Sequence, residues 1–134
     1  MKINLNLLDS RIENFDDNFK ENIDLFVKIK INNQKEFRSQ IYKQKNENEK
    51  YFEINEEIIK NFNITIPKND GLILEFKIFD FDEMLNENCL ISTKEISIKN
   101  WKKTTNVFLR NQKLKLENKN NEIGFLNFQL KILF

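Results

Sequence analysis

Apolar side chains recur at every second position through most of this chain, and that period admits little except half-buried β-structure. The clearest run is 72–79, where Leu72, Leu74, Phe76 and Ile78 share one face. The same alternation appears in Ile3, Leu5 and Leu7, in Val27, Ile29 and Ile31, and in Leu126, Phe128, Leu130 and Ile132. It predicts strands over 2–8, 25–32, 36–42, 72–79, 89–98 and 125–133. Within 36–42, Phe37, Ser39 and Ile41 fall on one side and Arg38, Gln40 and Tyr42 on the other. The stretch 51–66 is ambiguous, since Glu56 to Phe62 could pass for a helical turn. The run Phe62, Ile64, Ile66 pulls it back toward strand, and Pro67 ends it. Residues 106–110 and 113–117 read as one strand, interrupted or bulged around Asn111-Gln112. Between the strands lie polar connections at 9–23, 43–50, 80–88 and 118–123, the last closed by Gly124, and Asn69-Asp70-Gly71 signals a turn. The expectation is all-β: one domain, 1–134, built as an antiparallel eight-stranded β-sandwich.

Composition removes whole classes of chemistry. The chain has no histidine and one cysteine, Cys89. Zinc, haem and iron–sulfur sites therefore lack ligands, and an intramolecular disulfide has no second thiol. The lone thiol fits a reducing, intracellular compartment. Two glycines leave no phosphate-cradling loop. Ser10, Ser39, Ser92 and Ser97 stand in no nucleophile context, so an enzyme is not expected. The formal net charge of +1 makes no global field for nucleic acid, and no stacking platform is evident. Any basic site is local. No apolar run is long enough to span a bilayer, and the acidic residues Glu13, Asp16 and Asp17 do not suit a transit peptide. The heavy use of Asn, Lys and Ile reads as AT-rich coding.

Two groups of residues remain as candidate sites. Asp80 and Asp82 end the strongest strand and are spaced to point the same way, while Asp24 opens another strand. Carboxylates that converge from separate loops at one end of a sandwich suit a hard cation such as calcium. Alternatively, these acids cap turns by accepting backbone N–H bonds. The second group is basic: Lys28 and Lys30 point outward on one strand and Arg38 outward on the next, with Lys43 and Lys45 following. It is either a solvated sheet face or an anion-binding one.

The chain resembles a C2 domain over nearly its whole length. Asp24-Leu25-Phe26-Val27-Lys28-Ile29 is similar to the family's Ser-Asp-Pro-Tyr-Val-Lys-Val segment. Asn55-Glu56-Glu57-Ile58 resembles Trp-Asn-Glu-x-Phe, and Ile78-Phe79-Asp80-Phe81-Asp82 resembles the Val-Tyr-Asp-x-Asp loop entry. Asn88-Cys89-Leu90-Ile91-Ser92 falls where Asp-x-Ile-Gly sits, and Gly124-Phe125-Leu126-Asn127-Phe128-Gln129-Leu130 is similar to the closing Gly-x-Leu-x-Leu-x-Leu strand. A terminal strand of that type implies the circularly permuted, type II topology. The resemblance implies calcium ligands at Asp24, Asp80, Asp82, Asn18 and Asn88. Two of these are Asn where the family has Asp, so calcium is expected to bind weakly or only as a vestige. Phe19 and Met84, with Leu85, fall where the family inserts loop tips into lipid. Phe19 could equally pack under its own loop. The Lys28, Lys30, Arg38, Lys43 and Lys45 face falls where the family can bind phosphoinositides.

Two functions follow. In the first, the domain is a structural or adaptor subunit whose partners are other proteins. In the second, it docks on anionic membrane through 9–23, 80–88 and the basic face, with calcium optional. Outward Phe26, Ile73 and Phe79 would form an apolar patch if exposed. Either setting is cytoplasmic or peripheral to a membrane or organelle assembly.

Overall fold

A computed structural model describes residues 1–13, 24–43, 51–65, 71–82, 87–99 and 106–134. Among them run nine strands: β1 (Lys2–Glu13), β2 (Asp24–Ile31), β3 (Lys35–Arg38), β4 (Tyr42–Lys43), β5 (Tyr51–Asn63), β6 (Leu72–Asp82), β7 (Glu87–Ile98), β8 (Val107–Asn118) and β9 (Asn121–Leu133). The first sheet has the order β5-β1-β9-β8, and the second β3-β2-β6-β7 with β4 also on β2. Every pairing is antiparallel. The closing strand β9 thus lies inside its sheet, against the opening strand. No helix among the described residues is long and apolar enough to cross a membrane.

The period-two residues meet between the sheets. Ile3, Leu5, Leu7, Leu126, Leu130 and Ile132 of the first sheet are fully buried, as are Val27, Ile29, Leu74 and Ile78 of the second. Phe76 of β6 and Phe128 of β9 touch across the middle, with ring centres 5.4 Å apart. Polar bonds join the sheets at both seams. At one, the Ser92 hydroxyl donates to the Glu117 carbonyl at 2.8 Å and the Asn118 amide to the Ile91 carbonyl at 2.7 Å. At the other, β3–β4 leans on β5 through Glu56. The three buried serines, Ser10, Ser39 and Ser92, all bond backbone groups.

The structure has one strand more than alternation predicts, because 36–42 breaks. Ser39 leaves β-geometry, yet it keeps the β2 ladder closed. Its N–H donates to the Val27 carbonyl and its hydroxyl accepts from the Val27 N–H, each at 2.8 Å. The register then shifts, so Tyr42 packs on the core and Ile41 is exposed, the reverse of simple alternation. Ser39→Ala would leave the buried Val27 N–H without an acceptor. We expect a loss of about 1–3 kcal/mol in urea unfolding, and a loss below a few tenths would show that the hydroxyl is dispensable.

Several connections are shorter than predicted. β1 crosses a bulge at Leu8-Asp9 and runs on to Glu13, so 9–13 is strand and not loop. Asp9 has φ of 45°, and its N–H donates to the Asn55 side chain at 2.7 Å. β6 extends through Asp82 and β7 begins at Glu87, so 80–82 and 87–88 are strand where a loop is predicted. The β8–β9 turn is Lys119-Asn120 alone, both at positive φ as a two-residue hairpin requires. β8 is continuous through Asn111-Gln112, and its register shift falls at Leu116/Glu117. Asparagine also has a role that a coding bias does not describe. Asn32, Asn33, Asn61 and Asn120 all take positive φ, a conformation that Asn tolerates better than most side chains. In a chain with two glycines, Asn takes most of the positive-φ positions among the described residues, beside Asp9 and Lys119.

Candidate functional site

The outer face of the second sheet holds the densest cluster of aromatic and cationic side chains among the described residues. Phe26 and Phe79 are direct cross-strand neighbours, and their rings stack at 5.3 Å with 16° between planes. Phe81 meets Phe26 edge-on at 6.5 Å. Lys28 lies directly across from both Arg38 and Lys77. The Arg38 guanidinium sits 3.9 Å above the centre of Phe26 and 6.0 Å from that of Phe81. The Lys28 ammonium stands 5.2 Å from Phe79 and 6.0 Å from Phe26. A weakly hydrated planar guanidinium suits an aromatic face, where the ring quadrupole attracts it. Phe26 points outward, as alternation predicts, yet it is 0% exposed. Its own chain covers it. The outward aromatics are therefore not an open patch: Phe26 is buried, Phe79 half-buried and Ile73 exposed.

Farther along the face the charges alternate. Lys30 lies 3.9 Å from Glu36, and Lys77 lies 3.2 Å from Glu75. Partly exposed pairs of this kind contribute little stability but offset the local field. Net positive charge is thus concentrated at Lys28 and Arg38, toward the end where Lys43 stands across from Asp24. Lys45 lies outside the described residues.

The predicted calcium ligands are only partly described. Asp24 opens β2, and Asp80 pairs with Leu25 near the end of β6. By strand alternation Asp80 shares the inner face with Ile78, and Asp24 the outer face with Phe26. Asp82 closes β6 opposite Glu87, and Asn88 lies across from Phe81. Asn18, Phe19, Met84 and Leu85 lie outside the described residues. Among the described residues no three acids, thiols or imidazoles gather as a metal-ligand group.

A second polar cluster closes the β3–β4 to β5 seam. The Glu56 carboxylate accepts the Tyr42 hydroxyl at 2.7 Å and the Gln40 N–H at 3.1 and 3.3 Å. Asn55 and Glu56 both lie in the Asn-Glu-Glu segment singled out by resemblance, and both bond other strands. Burial pushes the Tyr42 hydroxyl up to about 12, with Glu56 adding to the rise and the Gln40 side chain opposing it. The raised value means that the folded state holds this proton after the unfolded chain has lost it. Stability from this group is therefore complete below pH 10 and declines as pH rises toward about 12. Tyr42→Phe should flatten that stretch of a plot of unfolding midpoint against pH. An unchanged slope would place the alkaline loss elsewhere.

Alternation alone does not reveal the Arg38–Phe26 roof. Outward Phe26 and outward Lys28 were each visible in the alternation, but their union depends on β3 lying beside β2. The tight β2–β3 turn at Asn32-Asn33 is the signal that brings Arg38 into place.

No family model matches the sequence, and no curated protein matches it. Solved structures do. The first C2 domain of plant extended synaptotagmin 1 matches with a TM-score of 0.64 at 17% identity, over 99% of this chain and 95% of that one. A structure of CC2D1B, described as coordinating ESCRT-III activity in re-formation of the nuclear envelope, matches with 0.59 at 15% identity. Human group IVD cytosolic phospholipase A2 matches with 0.60 at 13% identity. The matches cover 98% and 96% of this chain but only 55% and 17% of those longer proteins. Strand order, sandwich packing and these likenesses agree: the chain has the C2-domain fold.

Proposed function

We propose that this chain is a non-catalytic binding module that serves as a structural or adaptor subunit of a larger protein assembly, inside the cell. The observation that supports this reading most is the closed outer face of the second sheet. Its aromatics are stacked and roofed by Arg38 and Lys28, and Phe26 has no exposure left to offer lipid. Much of the remaining basic charge is paired with Glu36 and Glu75. One structural neighbour, CC2D1B, is described as coordinating ESCRT-III activity. A second reading, peripheral binding to anionic phospholipid, has its own support. Lys28 and Arg38 concentrate positive charge on one face, and extended synaptotagmin and a phospholipase share the fold. Native fractionation of extract from the source cell separates the two. In an assembly the protein elutes far above the mass of its own polypeptide. Elution as a free monomer, with the remainder on membranes, would contradict the proposal.

A further inference from the structure

A sheet ends in strands whose outer N–H and C=O groups can pair with another chain, and folded proteins usually blunt them. The edges here differ. β3 and β4 are four and two residues long. β5 is bulged at several points, holds Asn61 at positive φ, and has Gln40 and Tyr42 leaning on it. β7 is tied to the far end of β8 through Ser92 and Ile91, and its exposed Lys94 and Glu95 are of mixed sign. β8 is the exception. It keeps an unbroken register with β9 from Val107 to Leu116, contains no positive-φ residue, and has no strand on its other side among the described residues.

This edge carries charge of one sign. Leu109 to Leu116 includes Arg110, Lys113 and Lys115, and their β9 partners from Gly124 to Lys131 add Lys131. No carboxylate lies in either stretch. Lys113 and Lys115 stand exposed on the outer face, with Lys113 4.2 Å over the Phe125 ring. Leu109, also on that face, is 62% exposed, the highest value for a large apolar side chain among the described residues.

We infer that β8 docks an extended acidic segment of a partner protein as an added strand. Backbone pairing would supply binding energy, carboxylates at alternate positions would meet Lys113 and Lys115, and an apolar residue would cover Leu109. A second copy is disfavoured, because β8 against β8 sets cations against cations. A lipid headgroup lacks the ladder of N–H and C=O groups that an open edge requires.

The inference rests on the adaptor reading and narrows it to one surface. The test uses the whole chain and a twelve-residue peptide alternating Glu and Thr, with a Lys/Thr peptide as control. Followed by amide NMR at low salt, the acidic peptide should shift Leu109–Leu116 saturably, and the basic one should not. The double variant Lys113→Glu/Lys115→Glu changes only exposed side chains. It should weaken the acidic peptide on the order of tenfold and favour the basic one. No saturable shift, shifts on β5 or β7, or binding indifferent to the reversal would overturn the inference. So would binding to phosphatidylserine vesicles that the reversal abolishes, with no peptide binding. Failure with the peptide while the native protein still elutes in a large complex overturns β8 docking alone. Peptide binding by a protein that is a free monomer in extract overturns the assembly reading alone.

Discussion

Phe76→Ala is expected to remove about 3–5 kcal/mol of stability, the cost of deleting a buried ring whose site cannot collapse. Phe76 is fully buried at the centre of β6, and β2 and β7 pin it on either side. It is the contact through which the second sheet meets Phe128 of the first. Small domains hold about 5–15 kcal/mol in all, so this loss would take a marginal domain close to its folding threshold. Urea unfolding should show a lower midpoint with the slope retained. Phe128→Ala should cost a similar amount, and the double variant should lose less than the sum, because the two rings share one contact. A cost below about 1 kcal/mol for Phe76→Ala would mean that the sheets are not held together at this point.

Gly124→Ala should be nearly as severe, for a reason of backbone and not of volume. Gly124 has φ of 145°, a conformation that side chains rarely adopt, and it lies across from Ile12 in the β1–β9 register. A Cβ there would come within 2.1 Å of the Arg11 carbonyl oxygen and 2.9 Å of the Ile12 Cα. Both are backbone atoms of a paired strand, so nothing flexible can move aside. We expect a loss of about 3 kcal/mol or more, at the upper end of what single substitutions do. Near-wild-type stability would show that β1 and β9 do not approach so closely here.

These two positions show what the sequence can and cannot convey. Phe76 was legible as core because period two leaves it no other side. Gly124 was visible as a glycine at a strand opening, but alternation says nothing of which backbone lies opposite it. The same limit explains Ser39. One irregular residue splits a strand and inverts Ile41 and Tyr42, since a slip of one position moves every later side chain to the other face. Bulges at Leu8-Asp9 and Asn61 rest on asparagine bonds from other strands, Asn55 to Asp9 and Asn4 to Asn61. Such bonds depend on register, which no single strand encodes. For the candidate site, the basic face at Lys28 and Arg38 was readable, and its union with Phe26 was not. Residues two apart on one strand are easy to place, whereas a cation over a ring needs the neighbouring strand.

As an adaptor subunit, the role proposed above, the domain would work through protein contacts and not through lipid. Co-sedimentation with anionic phosphatidylserine vesicles, with and without millimolar calcium, tests it most directly. The protein is expected to stay in the supernatant in both conditions. Pelleting only with calcium would make Asp24, Asp80 and Asp82 working ligands and contradict the claim. Pelleting without calcium that is lost in Lys28→Glu/Arg38→Glu would contradict it equally, by assigning the outer face of the second sheet to the membrane.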